Sequence, residues 1–144
     1  GRDNAILRES VLGRRRYTTT RDTLMPHIYI QGEISLDRIW KGLKPFKELH
    51  PSPISLDALY LHQDATNLLF RMTVVEENRG QRFHFLASLK PDGIILRIDP
   101  YSDPIKTDVV KRAMAIIADR IRKLEPESSY GPSNIAEFLI SEAS

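Results

Sequence analysis

The 144-residue sequence contains no cysteine. This absence excludes a disulfide-stabilised scaffold, thiol chemistry and a zinc site with cysteine ligands. It also favours an intracellular protein, because disulfides are common in small secreted domains. No apolar run approaches the length of a transmembrane segment, so none is expected.

The sequence also lacks a complete catalytic, metal-binding or cofactor motif. Its four histidines are not at metal-ligand spacing, and the Gly-containing segments Pro91-Asp92-Gly93 and Gly131-Pro132 resemble turns rather than phosphate-binding loops. His62 and Asp64 are a weak candidate for metal or acid–base chemistry because no third group accompanies them. We therefore expect no enzymatic activity, no metal and no cofactor.

Alternating side chains over residues 56–101 predict an antiparallel meander. With a turn at Arg79-Gly80, Val74 is expected opposite Phe85. With a second turn at residues 90–93, Phe85 is expected opposite Ile98. Both registers place apolar side chains on one face, and a slip of one residue would expose all of them.

Helices are predicted before and after this meander in the chain. Residues 27–34 alternate like a strand, and Ser35 is a suitable N-cap for a helix through Lys44. Thr107 caps a second helix that ends near Leu124, and Ser133 caps a short third one through Ile140. The element order β-α-β-β-β-β-α-α predicts an α+β fold, with an antiparallel sheet of about five strands and helices packed on one face. The residues expected to face the helices are Ile28, Ile30, Tyr60, Phe70, Met72, Val74, Phe83, Phe85, Leu89, Leu96 and Ile98.

Two regions are distinguished by charge. Residues 1–26 contain six arginines and three acids and are interpreted as a basic N-terminal arm or linker. Residues 27–144 are interpreted as a single α+β domain. Because the chain begins at Gly1 without a signal-like segment, we interpret it as part of a longer protein.

The opposite face of the predicted sheet carries more apolar residues than a solvent-facing surface needs. This pattern predicts a noncatalytic interaction module that binds protein through the outer face or the edge of its sheet, as a scaffold or a homodimer. The N-terminal arm and the C-terminal segment are the alternative covers for this face. The predicted partner-binding residues are Leu59, Leu61, Leu69, Arg71, Val75, His84, Leu86, Ile95 and Arg97.

Two other functions are compatible with the sequence. The first is binding of a polyanion, either nucleic acid or acidic lipid, by the basic arm and the basic second helix. Its candidate residues are Arg14, Arg15, Arg16, Lys111, Arg112, Arg122 and Lys123. The second is a helix-grip cavity for a small ligand between the helices and the sheet.

The element order over residues 27–124 is similar to that of the TATA-binding-protein half-repeat and of kinase-associated C-terminal domains. Those families use such folds to contact nucleic acid, acidic lipid or protein. The similarity extends to element order only, because no sequence motif of either family is present. No functional residue is therefore transferred to this chain.

Overall fold

The computed structural model describes residues 25–140. The fold is α+β with an antiparallel sheet, as predicted. Its elements are β1 (His27–Gln31), α1 (Leu36–Gly42), β2 (Phe46–Glu48), β3 (Ile54–Leu61), β4 (Asn67–Glu76), β5 (Arg79–Lys90), β6 (Gly93–Ile98), α2 (Asp108–Leu124), β7 (Ser129–Ser133) and a 3-10 helix (Ala136–Phe138).

The strands form one seven-stranded sheet in the order β2-β3-β4-β5-β6-β1-β7, in which all neighbours are antiparallel. The prediction of about five strands was too low because β2 and β7 add a short strand at each edge. Their sequences, FKE and SYGPS, show no sustained alternation of apolar and polar residues. The predicted short helix over residues 133–140 is also wrong, since β7 and a single 3-10 turn occupy that region.

The hairpin between β5 and β6 has the predicted register, with Phe85 opposite Ile98 and Ala87 opposite Leu96. Gly93 begins β6 where it approaches β1 closely. A Cβ atom at that position would overlap the carbonyl oxygen of Ile30. A glycine is therefore required for this strand pairing.

The hairpin between β4 and β5 turns at a different place from the predicted one. Glu77 and Asn78 form the turn, with φ angles of 50° and 62°. Positive φ at both central residues is the signature of the tight turns that suit hairpin twist. Phe85 therefore lies opposite Phe70 rather than Val74, although the buried face remains the predicted one.

Alternate residues of the strands join residues of both helices in one hydrophobic cluster. Nine of the eleven predicted inner residues are buried, whereas Tyr60 and Leu89 are 49% and 44% exposed. The large side chains with the least solvent contact include Phe70, Phe83, Phe85, Ile28, Ile30 and Met72. Burial of such side chains stabilises the fold by roughly 1.5–3 kcal/mol each before conformational entropy is subtracted.

The N-caps predicted for the two longer helices are present. The Ser35 hydroxyl accepts a hydrogen bond from the Arg38 amide at 3.1 Å, and the Thr107 hydroxyl accepts one from Val110 at 3.3 Å. Helix α1 contacts β3 and β4, and α2 contacts β1, β4 and β6. Trp40 is 42% exposed, although its spacing in α1 predicts that it packs in the core.

Candidate binding surface on the outer sheet face

The outer face is the surface of β4, β5 and β6 opposite the hydrophobic cluster. Leu69 and Leu86 lie side by side at its centre, and Arg97 of β6 continues the same row. In the next row Arg71 lies opposite His84. The three apolar residues Leu69, Leu86 and Ile95 are each partly exposed, so this face is neither a closed core nor a uniformly polar surface.

Seven of the nine predicted partner-binding residues lie on the outer face. They are Leu69, Arg71, Val75, His84, Leu86, Ile95 and Arg97. The face predicted for the other two, Leu59 and Leu61, is wrong. These leucines lie opposite Phe70 and Leu68 and pack against the hydrophobic cluster.

A β-bulge causes this difference. The pairing of β3 with β4 shifts between Leu56 and Ala58, so that Asp57 is an extra residue on β3. Such an insertion reverses the faces of all the residues that follow it in the strand. Tyr60 consequently lies on the outer side instead of the predicted core position, and its ring is half exposed.

Three arginines, Arg71, Arg82 and Arg97, are exposed on the outer face. Within residues 25–140 none of the three forms an ion pair. Arg71 makes one long contact, with its Nη1 atom 3.4 Å from the Tyr60 hydroxyl. The outer face therefore carries positive charge that the described part of the chain does not neutralise by contact.

Arg82 was not among the predicted partner-binding residues, although the predicted register also places it on the outer face. The turn at Arg79-Gly80 would place Arg82 opposite Glu77, where the two charges offset each other. In the structure Arg82 lies opposite Thr73 instead. Asn78 directly precedes the predicted Arg79-Gly80 turn. Because asparagine readily adopts positive φ, it was the sequence signal for the correct turn.

Asp57 places a carboxylate beside these arginines. Its two oxygens accept hydrogen bonds from the Ser55 hydroxyl at 2.7 Å and the Thr73 hydroxyl at 2.6 Å. Burial acts to raise the pKa of Asp57, but the two hydroxyl donors and the charges of Arg71 and Arg82 together lower it below its ordinary value. The bulge is thus fixed by an ionised carboxylate.

A shallow cavity of about 620 Å³ extends the outer face toward residues 101–104. Arg71, Arg82 and His84 line it, and the Tyr101 side chain beside them is 97% exposed. His84 contacts the chain beyond β6 through its backbone, since its carbonyl accepts from the Asp99 amide at 2.9 Å. The surface combines cationic groups with an exposed aromatic ring.

Of the residues predicted for polyanion binding, three of the four on α2 make polar contacts within residues 25–140. Arg14, Arg15 and Arg16 lie outside the described residues. On α2, Arg112 donates to the Ser52 carbonyl at 3.4 Å and Arg122 donates to the Ser128 carbonyl at 2.7 Å. Lys123 pairs with Asp119 at 3.0 Å. Lys111 is half-buried beside a cleft near the 3-10 helix.

A second groove, of about 630 Å³, lies between the end of α1, β2 and α2. Arg120 crosses this groove: its guanidinium lies 3.6 Å above the Phe46 ring and 3.0 Å from a Glu48 oxygen. These contacts link α2 to the edge strand β2. They explain the position of Arg120 without a ligand.

The loop between β3 and β4 contains the weak acid–base candidate. The Asp64 carboxylate accepts from the Thr66 hydroxyl and amide and lies 2.6 Å from His62 Nδ1. The Thr66 donors lower the pKa of Asp64 to about 2. This is the hydrogen-bonding pattern of a loop whose Asp side chain stabilises a turn.

Residues 25–140 contain no group of three or more His, Asp or Glu side chains placed to hold a metal ion. Within the same residues, neither α1 nor α2 combines the length and the apolar surface that a membrane-spanning helix needs. No protein-family model matches the chain, and no curated protein or solved structure is significantly similar to it.

Proposed function

We propose that this chain is a noncatalytic protein-binding module whose outer face holds an acidic, partly apolar segment of a partner protein. The observation that carries the proposal is a group of three arginines that form no ion pair within residues 25–140 and surround the partly exposed Leu69–Leu86 pair. Apolar side chains at the centre with charged groups at the rim are typical of protein interfaces. In this proposal the two helices pack against the opposite face of the sheet.

The charge of the outer face favours a separate acidic partner over the chain's own arm. Residues 25–140 contain fifteen bases and fifteen acids, whereas residues 1–24 contain six arginines and three acids. The arm would bring further positive charge to Arg71, Arg82 and Arg97, and like charges in contact disfavour association. A second copy docked by the same face would also bring its own three arginines.

The same surface favours protein over a nucleic acid or lipid head group. Its central pair, Leu69 and Leu86, is aliphatic and suits the apolar side chains of a protein better than the bases of a nucleic acid, although Tyr60 lies opposite Leu69. The bases of α2 largely contact groups within the chain, which weakens the polyanion alternative.

Selection from a random peptide library tests this function directly, because it requires no candidate partner. We expect enrichment of peptides that combine acidic and apolar residues. Arg71→Glu should weaken binding of the selected peptides by about tenfold or more, because it replaces attraction by repulsion. The matched control is Arg79→Glu, which makes the same charge change at the exposed tip of the β4–β5 hairpin.

The outcomes separate the two functions. Equal losses for the two variants, or selected peptides without acidic residues, would contradict the proposal. A short fluorescent oligouridylate provides the second measurement. Salt-sensitive binding of this RNA that Arg71→Glu abolishes, without enrichment of acidic peptides, would replace the protein-binding function by polyanion binding.

A further inference from the structure

Strand β3 has two halves with different surroundings. Its first half, residues 54–56, pairs with β2 on one side and β4 on the other. After the bulge at Asp57, residues 58–61 pair with β4 and with no other strand of residues 25–140. In this described part of the chain the sheet therefore has an open edge along Ala58–Leu61, although β3 is an interior strand for half of its length.

The directions in which the backbone N–H and C=O groups point at this open edge follow from the hydrogen bond of His62, the residue after Leu61. The His62 amide donates to the Asn67 carbonyl at 2.9 Å, so this pair is hydrogen-bonded across β3 and β4. Antiparallel pairs alternate, and Tyr60 and Ala58 therefore also bond to β4. The backbone N–H and C=O groups of Leu59 and Leu61 point the other way. Within residues 25–140 no segment supplies partners for them.

The side chains at the open edge also lack cover. Leu59 and Leu61 pack against the hydrophobic cluster but remain partly exposed. Tyr60 projects to the outer side and is 49% exposed. A strand added beside β3 would cover both leucines with its alternate side chains while it bonds to their backbone groups.

Ala58 makes Arg71 accessible from such a strand. Ala58 lies opposite Arg71 on the outer side, and its methyl group is too short to block the guanidinium. An outward residue of the added strand opposite Ala58 would lie about 10 Å from the Arg71 backbone, which is two strand spacings. A glutamate and an arginine side chain together span that distance, and Arg71 forms no ion pair within the described part of the chain.

The outermost strands of the sheet are less suited to strand addition. Strand β2 has only three residues and directly follows Pro45, and β7 contains Pro132. Proline has no backbone N–H and is a common protection against pairing at sheet edges. Residues 58–61 contain no proline and have no such protection.

We propose that the open edge Ala58–Leu61 accepts an extended segment of the partner protein as an additional strand. The segment bonds to the backbone of Leu59 and Leu61, places apolar side chains beside these two leucines, and places a carboxylate opposite Ala58, where it pairs with Arg71. This placement rests on the proposed function, because it assigns the acidic residue of the partner to one position of the outer face.

A short synthetic peptide of alternating valine and threonine, with one threonine replaced by glutamate and lysines at both ends, tests the pairing. Amide chemical shifts of the isotope-labelled chain report where it binds. We expect shifts at residues 57–62 and 71. A second peptide, methylated on the valine amides, has the same side chains but lacks the backbone donors and should not bind. A glutamine version should bind about tenfold more weakly than the glutamate peptide to the native chain, and the two should bind equally to Arg71→Gln.

Each result decides one part of the inference. Equal binding of the methylated peptide, or shifts away from residues 57–62, would exclude strand addition. Equal binding of the glutamate and glutamine peptides to the native chain would exclude the pairing with Arg71. If the synthetic peptides do not bind but library-selected peptides bind in an Arg71-dependent way, strand addition is excluded and the proposed function stands. If neither kind of peptide binds, the proposed function is overturned as well.

Discussion

The two faces of β5 differ sharply although their residues alternate along one strand. Phe85 has no exposed surface and packs against Phe83 at a ring-centroid distance of 5.1 Å. Leu86, the next residue, is partly exposed beside Leu69 and Arg97. The buried face supplies the stability of the sheet, and the outer face is free to carry binding groups. Substitutions on the two faces should therefore have separable effects.

The largest expected difference is between Phe85→Ala and Leu86→Ala. Phe85→Ala should lower the free energy of unfolding by about 3–5 kcal/mol, because it removes a fully buried ring and leaves a cavity. Leu86→Ala should cost less than about 1.5 kcal/mol, because the leucine is only partly buried. Chemical denaturation of both variants measures the two values. Similar losses would show that the outer face is also a closed core.

A smaller and pH-dependent effect is expected at Asp57, the acidic residue beside the arginines. Asp57→Asn should lower the free energy of unfolding by about 1 kcal/mol near neutral pH, because it weakens the bonds from Ser55 and Thr73. The folded-state pKa of Asp57 is below its ordinary value of 3.8. The carboxylate therefore stabilises the fold above that value, and this contribution is lost as the pH falls through the folded pKa.

Denaturation curves of the native chain and Asp57→Asn at neutral and acidic pH test this sign. The difference in stability should narrow below about pH 4 as the native carboxylate becomes protonated. The matched control is Asp92→Asn, which makes the same substitution in the exposed β5–β6 turn and should lower the free energy of unfolding at neutral pH by less than Asp57→Asn does. A difference that widens in acid would contradict the assignment.

The smallest expected effect on stability is at Arg71. Arg71→Gln should change the free energy of unfolding by less than about 0.5 kcal/mol, because the side chain is exposed and makes one long contact. Thermal and chemical denaturation measure this value. A larger loss would mean that Arg71 supports the fold, and its effect on peptide binding would then have a structural explanation.

The strand faces were more predictable from the sequence than the strand pairing. Alternation alone assigns Phe70, Met72 and Phe85 to one face, and this holds for any even shift of register. The turn determines which residues oppose each other. Gly80 is the most permissive residue near the β4–β5 turn, but Glu77 and Asn78 adopt the positive φ angles. The β5–β6 register was correct because Pro91 and Gly93 define a single turn.

The open edge was not predicted because regular alternation was assumed through the whole of β3. The sequence contains a signal against that assumption. Ile54 and Leu56 are two residues apart, as are Leu59 and Leu61, but Leu56 and Leu59 are three apart. This break in the period of two marks the bulge. The short strands β2 and β7 carry no comparable signal, since their formation depends on a neighbouring edge.

The single extra residue at Asp57 has a consequence for chain length. Because Asp57 is inserted, the inward and outward side chains alternate differently in the two halves of β3. Leu56 in the first half and Leu59 and Leu61 in the second half can all face the core only because of this insertion. A chain shortened by this residue would turn Ala58–Leu61 over. Tyr60 would then point inward, and Leu59 and Leu61 would lie on the outer face with the arginines. There they would not contact the apolar side chains of an added acidic strand.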